Sequence, residues 1–326
     1  NILKQIANTI RGLSIDAINQ ANSGHPGLPM GCADLGALLY SEVLNHNPSN
    51  PKWINRDQFV LSAGHGSMFQ YACMHLAGYN ITIDDIKQFR QLHSICAGHP
   101  EYELDYGIET TTGPLGQGIG HAVGLALAKK IIANKFNTQK EQLFDGTIYA
   151  LAGDGCLMEG VASEACSFAG HLQLDNLIVI YDSNDICLDG PLTECFTENV
   201  PLRFESYGWK VITIDGHNHD EIRDAFKEAK QAKQPVLIEA KTTIGFGSPN
   251  RAGTSEAHGK ALGEEEGILA KQSLGIDTET PFHVSNDVKD FFTQLQQKQQ
   301  DTEASWQKRF EQWKQDNPNL FQHFQL

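Results

Sequence analysis

Two apolar runs, each followed by a hard oxygen donor, constrain this chain most. Thr147-Ile148-Tyr149-Ala150-Leu151-Ala152 reads as a buried strand and leads into Gly153-Asp154-Gly155. Leu177-Ile178-Val179-Ile180-Tyr181 reads as a second buried strand and leads to Asn184, 30 residues after Asp154. Residues 159–171 between them read as a helix, which makes a strand–helix–strand unit. In an open parallel sheet, ligands sit in the crevice at the carboxyl ends of the strands. Oxygen-only donors suit a small hard cation such as Mg²⁺ or Ca²⁺. Two protein ligands leave positions that phosphate oxygens can fill. The glycines beside Asp154 let a phosphate approach the backbone and the following helix N-terminus. A Gly-Asp-Gly by itself is an ordinary turn; the flanking strands and the spaced Asn give it weight. An EF-hand reading of Asp182-Ser183-Asn184 fails, because Ile186 and Cys187 stand at its fifth and sixth positions.

The rest of the chain continues the alternation. Helical patterns cover roughly 1–21, 30–45, 67–77, 84–92, 117–135 and 219–232, and strands fall near 58–62, 209–214 and 235–241. The expected fold is α/β, a parallel sheet with helices on both faces. Residues 1–283 read as one domain. Residues 284–326 read as a helical extension or linker, with a Gln-rich stretch at 294–301 and a Trp306/Phe310/Trp313 pattern after it. With 326 residues and 40% apolar content the chain can bury a large core. Its net charge of −15 argues against nucleic acid and anionic membrane surfaces as partners. It has no apolar run long enough for a transmembrane helix, and its first residues do not read as a signal peptide. Seven cysteines without a C-x-x-C pair read as free thiols, which suits a reducing, cytoplasmic setting.

Four loops pair histidine with glycine: Gly24-His25, Gly64-His65, Gly98-His99 and His258-Gly259. Glycine permits a tight turn that presents an imidazole to a cavity, where it can bind phosphate or hydroxyl groups and move protons near neutral pH. A zinc site is the rival reading, but close metal-ligand spacing is lacking. The other nine histidines read as surface or packing residues. The loop 110–120 resembles a dinucleotide fingerprint only superficially, since no strand precedes it and His121 follows Gly118 at the third position. Its glycines and Pro114 make a rigid loop whose backbone can face a flat heterocycle. Gly245-Phe246-Gly247-Ser248-Pro249 opens a small-residue loop that leads to His258 and reads as a mobile flap.

Together these segments resemble transketolase along essentially the whole chain. The resemblance rests on Ala21-Asn22-Ser23-Gly24-His25-Pro26-Gly27, Asn55-Arg56-Asp57, Gly98-His99-Pro100-Glu101, Thr111-Thr112-Gly113-Pro114-Leu115-Gly116-Gln117-Gly118, Gly153-Asp154-Gly155 and Gly245-Phe246-Gly247-Ser248-Pro249. It implies the first of three domains, the one that binds the diphosphate of thiamine diphosphate. It implies that Asp154, Asn184 and the main-chain oxygen of Ile186 hold a divalent cation, Mg²⁺ with Ca²⁺ or Mn²⁺ as substitutes. Gly155 and His65 would contact the diphosphate. Gly113, Pro114 and Leu115 would line the heterocyclic side, and His258 would also reach the cofactor. His25, His99 and His258 would face the sugar as catalytic groups. Glu159, counted with the cofactor set, and Glu164 match acidic residues near the subunit interface of a homodimer. Read from the residues alone, both are first-turn helix acids.

The implied reaction moves a two-carbon ketol unit between sugar phosphates in the pentose phosphate pathway. Dihydroxyacetone synthase, deoxyxylulose-phosphate synthase and a non-catalytic cofactor-binding subunit are the alternatives. Ala63, Ala97 and Ser183 depart from the family pattern without removing a proposed ligand. The chain ends about where the second, pyrimidine-binding domain should begin. The expectation is therefore a fragment, or one half of a split enzyme, whose active site is completed by that second domain.

Overall fold

The computed structural model describes residues 2–325, so Asn1 of the expected first helix and Leu326 lie outside the described residues. Five strands form one sheet: β1 (Gln58–Leu61), β2 (Ile148–Gly153), β3 (Leu177–Ser183), β4 (Lys210–Asp215) and β5 (Val236–Lys241). Their spatial order is β1-β2-β3-β5-β4 and every pairing is parallel. β2, β3 and β5 are buried almost throughout, which is why they read as continuous apolar runs. β4 is an edge strand and is only partly buried. The chain passes from β3 to the far edge and returns with β5 between them. The expected α/β architecture is therefore the observed one.

Helices Gln117–Phe136, Gly160–His171 and Val200–Ser206 cover one face of the sheet. Helices Ala33–Leu38, Ser67–Ala77 and His219–Ala229 lie on the other, with Ile2–Ala21 packed outside them. Ile6, Ile10, Leu13, Ala17 and Ile18 give that first helix its buried stripe. Among the described residues, no helix is long and apolar enough to cross a membrane.

Some boundaries differ from the sequence reading. The helix expected over 30–45 is broken into Gly27–Gly31, Ala33–Leu38 and a π-turn at Leu39–Val43. Gly31 is pressed against the Thr243 carbonyl, 2.9 Å from where a Cβ would sit, so this segment follows its neighbours rather than its own periodicity. The helix expected over 84–92 stops at Lys87. Thr82 and Asp85 form a capping box at its start, and Arg90 and His93 then take positive φ. Helix Gly263–Leu274, which was not expected, follows the small-residue loop. Its Glu266 carboxylate accepts from Ser248 Oγ and from both Asn250 N (2.9 Å) and Asn250 Nδ2 (2.7 Å), so the loop read as mobile is tied down there.

Helix Asn286–Asp316 lies back along the body. Val288 and Phe292 join the main core, and Gln299 is buried with Nε2 2.7 Å from His46 Nε2. Further on, Trp306 and Trp313 pack with Trp53, Phe136, Leu143 and Phe144 in a second cluster. Most of the other glutamines of 294–301 face solvent.

Candidate functional site

The carboxyl ends of β1, β2 and β3 open on a cavity of about 400 Å³. The register places Gly153 of β2 beside Asp182 of β3, so the residues that follow, Asp154 and then Ser183 and Asn184, emerge together at one edge. The cavity walls carry His25, His65, Gly113, Leu115, Asp154, Gly155, Asn184, Ile186 and His258. These come from six separate segments of the chain. His25 sits in the turn between the first two helices, where Gly24 takes φ 144° and a Cβ would lie 2.9 Å from the Phe89 ring. His65 sits in the turn Gly64–Gly66 after β1, and His258 follows the turn Ser255–Ala257 beyond β5.

Four expected residues stand off the walls. Pro114 is exposed beside Gly113 and Leu115. His99 is exposed, with its ring close to Gly113 (3.4 Å from a Cβ built there). Glu159 is exposed at the start of helix Gly160–His171 and lies against Gly116, and Glu164 is exposed on the same helix.

Three imidazoles crowd the mouth. The ring centroids of His25 and His65 are 5.1 Å apart, those of His65 and His258 are 5.2 Å apart and stacked, and those of His25 and His258 are 6.0 Å apart. Burial pushes His65 down to about 3, with His258, His25, His99 and Arg90 adding to the effect. Burial pushes His25 down to about 4, and the Arg90 guanidinium lowers it further. Burial also lowers His258, and burial followed by Arg90 lowers His99. Arg90 Nη2 lies 3.2 Å from His25 Nδ1. A guanidinium can only donate, so Nδ1 accepts and the ring proton is on Nε2. The group is a set of neutral imidazoles near pH 7, suited to hydrogen bonding and proton transfer rather than to charge pairing.

Between the ordinary value of 6.5 and the folded value of about 4, the unfolded chain takes a proton on His25 that the folded chain refuses. The stability contributed by neutral His25 is therefore present above 6.5 and is lost as pH falls toward 4. NMR titration should find that neither His25 nor His65 protonates between about pH 5 and 8. In Arg90→Met the His25 midpoint should move up; an unmoved midpoint would exclude the charge effect.

The acidic side is arranged differently. Asp154 is buried and accepts a hydrogen bond from the Tyr181 hydroxyl. Its pKa is raised to about 7, chiefly by burial, and Asp182 and Asp185 add to the rise. Asp182 is fully buried and also raised, by the same cause. It accepts from Thr242 Oγ1 and from Asn184 Nδ2 (3.0 Å). That second bond fixes the Asn184 amide, whose oxygen accepts from Ile186 N at 3.1 Å. Two buried carboxylates thus share one pocket with the Asn184 carboxamide. A hard divalent cation would relieve their desolvation, and the donor set fits one. In the same cavity His258 Nδ1 is buried without a partner. A buried ring nitrogen of that kind calls for a ligand atom. Among the described residues, no cluster of three or more His, Cys, Asp or Glu is placed to hold a metal.

Sequence reasoning missed Tyr181, Asp182 and Arg90. The first two lie within an apolar run or at its end and carry no signal beyond strand character. Arg90 reaches His25 across 65 residues only because the chain turns at positive φ there.

The family model for the transketolase thiamine diphosphate binding domain matches residues 2–326. This chain belongs to that family. A transketolase from Halalkalibacterium halodurans is 49% identical over 326 residues, covering 99% of this chain and 49% of the relative. The solved transketolase from Leishmania mexicana superposes with TM-score 0.96 at 43% identity, over 99% of this chain and 48% of that one. A Pichia stipitis transketolase solved in complex with sedoheptulose-7-phosphate gives TM-score 0.95 at 42% identity, over 98% and 48%. The chain spans about half the length of the curated transketolases it matches.

Proposed function

We propose that this chain is the diphosphate-binding part of a thiamine-diphosphate-dependent transketolase. The whole enzyme would transfer a two-carbon ketol unit from a ketose phosphate to an aldose phosphate, in the pentose phosphate pathway of the cytoplasm. The observation that carries this reading is one cavity lined by Asp154, Asn184 and Ile186 together with His25, His65 and His258.

Asp154, Asn184 Oδ1 and the Ile186 carbonyl would hold Mg²⁺, with Ca²⁺ or Mn²⁺ satisfying the same donors. Gly155 and His65 would take the diphosphate. Gly113, Pro114 and Leu115 would line the heterocyclic side, and the unpartnered His258 Nδ1 would pair with a ligand atom. When bound, thiamine diphosphate supplies the thiazolium electron sink needed to break the sugar's carbon–carbon bond. His99, exposed at the cavity's edge, would orient the donor sugar's terminal hydroxyl and carbonyl. His25 presents Nε2–H as a donor because Arg90 occupies Nδ1, and it would hold or move a proton with His258 as the sugar bond breaks. Residues 1–283 would form the binding domain. Residues 284–326 would lead to a second, pyrimidine-binding domain, and a homodimer would bring Glu159 and Glu164 to its interface.

The test is His258→Ala, and separately His25→Ala, in enzyme reconstituted with the second domain. Turnover should fall by about 100-fold or more, with cofactor affinity changed much less. Turnover held within about twofold, roughly 0.4 kcal/mol, would exclude those roles.

A further inference from the structure

Five of the seven cysteines (Cys32, Cys73, Cys96, Cys156 and Cys166) are buried; Cys187 is half-buried and Cys195 is exposed. The two accessible sulfurs lie together, 3.9 Å apart. Local hydrogen bonding brings them there. Ile186 pairs with Pro191 as an antiparallel bridge. Cys187 N donates to the Gly190 carbonyl at 2.9 Å, and Leu192 N to the Asp185 carbonyl at 2.9 Å. Cys195 N then closes a turn on the Leu192 carbonyl at 3.0 Å. The same turn sends Ile186, Cys187 and Leu188 into the cavity wall. The bland reading, seven independent thiols, leaves this adjacency without a role.

We infer that Cys187 and Cys195 are a reversible disulfide pair, and that its oxidation weakens cation-dependent cofactor binding by moving the segment that carries Ile186. The second half rests on the function proposed above. The oxidant is a small-molecule disulfide such as oxidised glutathione. Cys195, the exposed sulfur, attacks as thiolate and forms a mixed disulfide, and one glutathione thiolate leaves. Cys187 sulfur then attacks Cys195 sulfur; their S–S bond forms, the bond to glutathione breaks, and the second glutathione thiolate leaves. The two cysteine protons pass through solvent to the two departing thiolates, and two electrons move from the cysteines to the glutathione disulfide. A disulfide is about 2.05 Å long, so the sulfurs must close by roughly 1.9 Å. Cys187 is peptide-bonded to Ile186, so part of that movement falls on the Ile186 carbonyl.

The experiment treats the chain with oxidised glutathione, blocks remaining thiols and maps unreduced peptides by mass spectrometry. One intramolecular cross-link joining Cys187 to Cys195 is expected, reversed by dithiothreitol and absent from Cys195→Ser. Titration with thiamine diphosphate and Mg²⁺ should then give about tenfold weaker binding for the oxidised chain, the scale of a disturbed outer-shell contact, with Cys195→Ser unaffected by the oxidant. Glutathione left on Cys195 without a cross-link, or no reaction, overturns the pairing. A cross-linked chain with unchanged affinity overturns the coupling. If the reduced chain fails to bind cofactor even with the second domain supplied, the proposed function fails while the cross-link map still decides the pairing. Amide hydrogen exchange over 184–196 then decides the coupling, which requires oxidation to alter it.

Discussion

Asp154→Ala is expected to lose cation-dependent binding of thiamine diphosphate while the chain stays folded. Asp154 is the one carboxylate of the proposed ligand set, and the other members are neutral oxygens. Disturbing a contact one shell outside a metal typically costs 10–100-fold in affinity, so removing the charged ligand itself should cost about 100-fold or more, near 2.8 kcal/mol. The fold should tolerate the change because the carboxylate is no stabilising ion pair. Burial raises it to about 7, so its charged form is disfavoured in the folded chain. The foreseeable loss is the hydrogen bond from the Tyr181 hydroxyl, a cost on the order of 1–3 kcal/mol. Asp154→Asn keeps an acceptor for that hydroxyl and removes only the charge. Both variants should lose cation dependence in calorimetry. If Asp154→Asn binds like the wild type, the charge of Asp154 is not what holds the cation.

Trp313→Ala is expected to be the most destabilising single change in helix Asn286–Asp316, at about 3–5 kcal/mol. Trp313 is 1% exposed. Its ring packs against Phe136, Phe144, Phe310 and Phe324, with centroids 5.8–6.4 Å away. Its Nε1–H donates to the Phe136 carbonyl at 3.0 Å, near the end of helix Gln117–Phe136. That bond caps a carbonyl the helix cannot satisfy by itself. Substitution opens a large void and orphans the carbonyl together. The cofactor cavity lies toward the other end of the same helix, and twenty residues of helix span about 30 Å. Denaturant unfolding should therefore show the loss while cofactor affinity holds. An unchanged midpoint would mean that helix Asn286–Asp316 unfolds independently of the sheet domain.

The fold was legible wherever periodicity and burial agree. β2, β3 and β5 are buried on both faces, so their apolar runs could be read within about two residues. Helix Gln117–Phe136 was legible for another reason: Gly116 at φ 81° marks its start. Legibility failed where neighbours override local pattern. The segment 30–45 breaks because Gly31 must fit under Thr243, a contact more than two hundred residues distant. Helix Gly263–Leu274 has Glu264, Glu265 and Glu266 in its first turn, a recognisable start signal that the preceding glycine-rich loop obscured.

The candidate site divides in the same way. Residues next to glycine at strand ends, such as Asp154 and His65, could be picked out because glycine and position together mark a crevice. Tyr181, which bonds to Asp154, looks like one more core aromatic until the two strands are placed side by side. Arg90, which fixes the His25 proton on Nε2, lies in a stretch with no motif.

Whether Asp154, Asn184 and Ile186 form a cation-dependent cofactor site is decided by calorimetric titration of the wild-type chain with thiamine diphosphate, with and without Mg²⁺. Saturable one-to-one binding that requires the cation and disappears when it is chelated is expected. Equal binding in both conditions, or none by a folded chain that also fails when the second domain is supplied, would contradict that assignment.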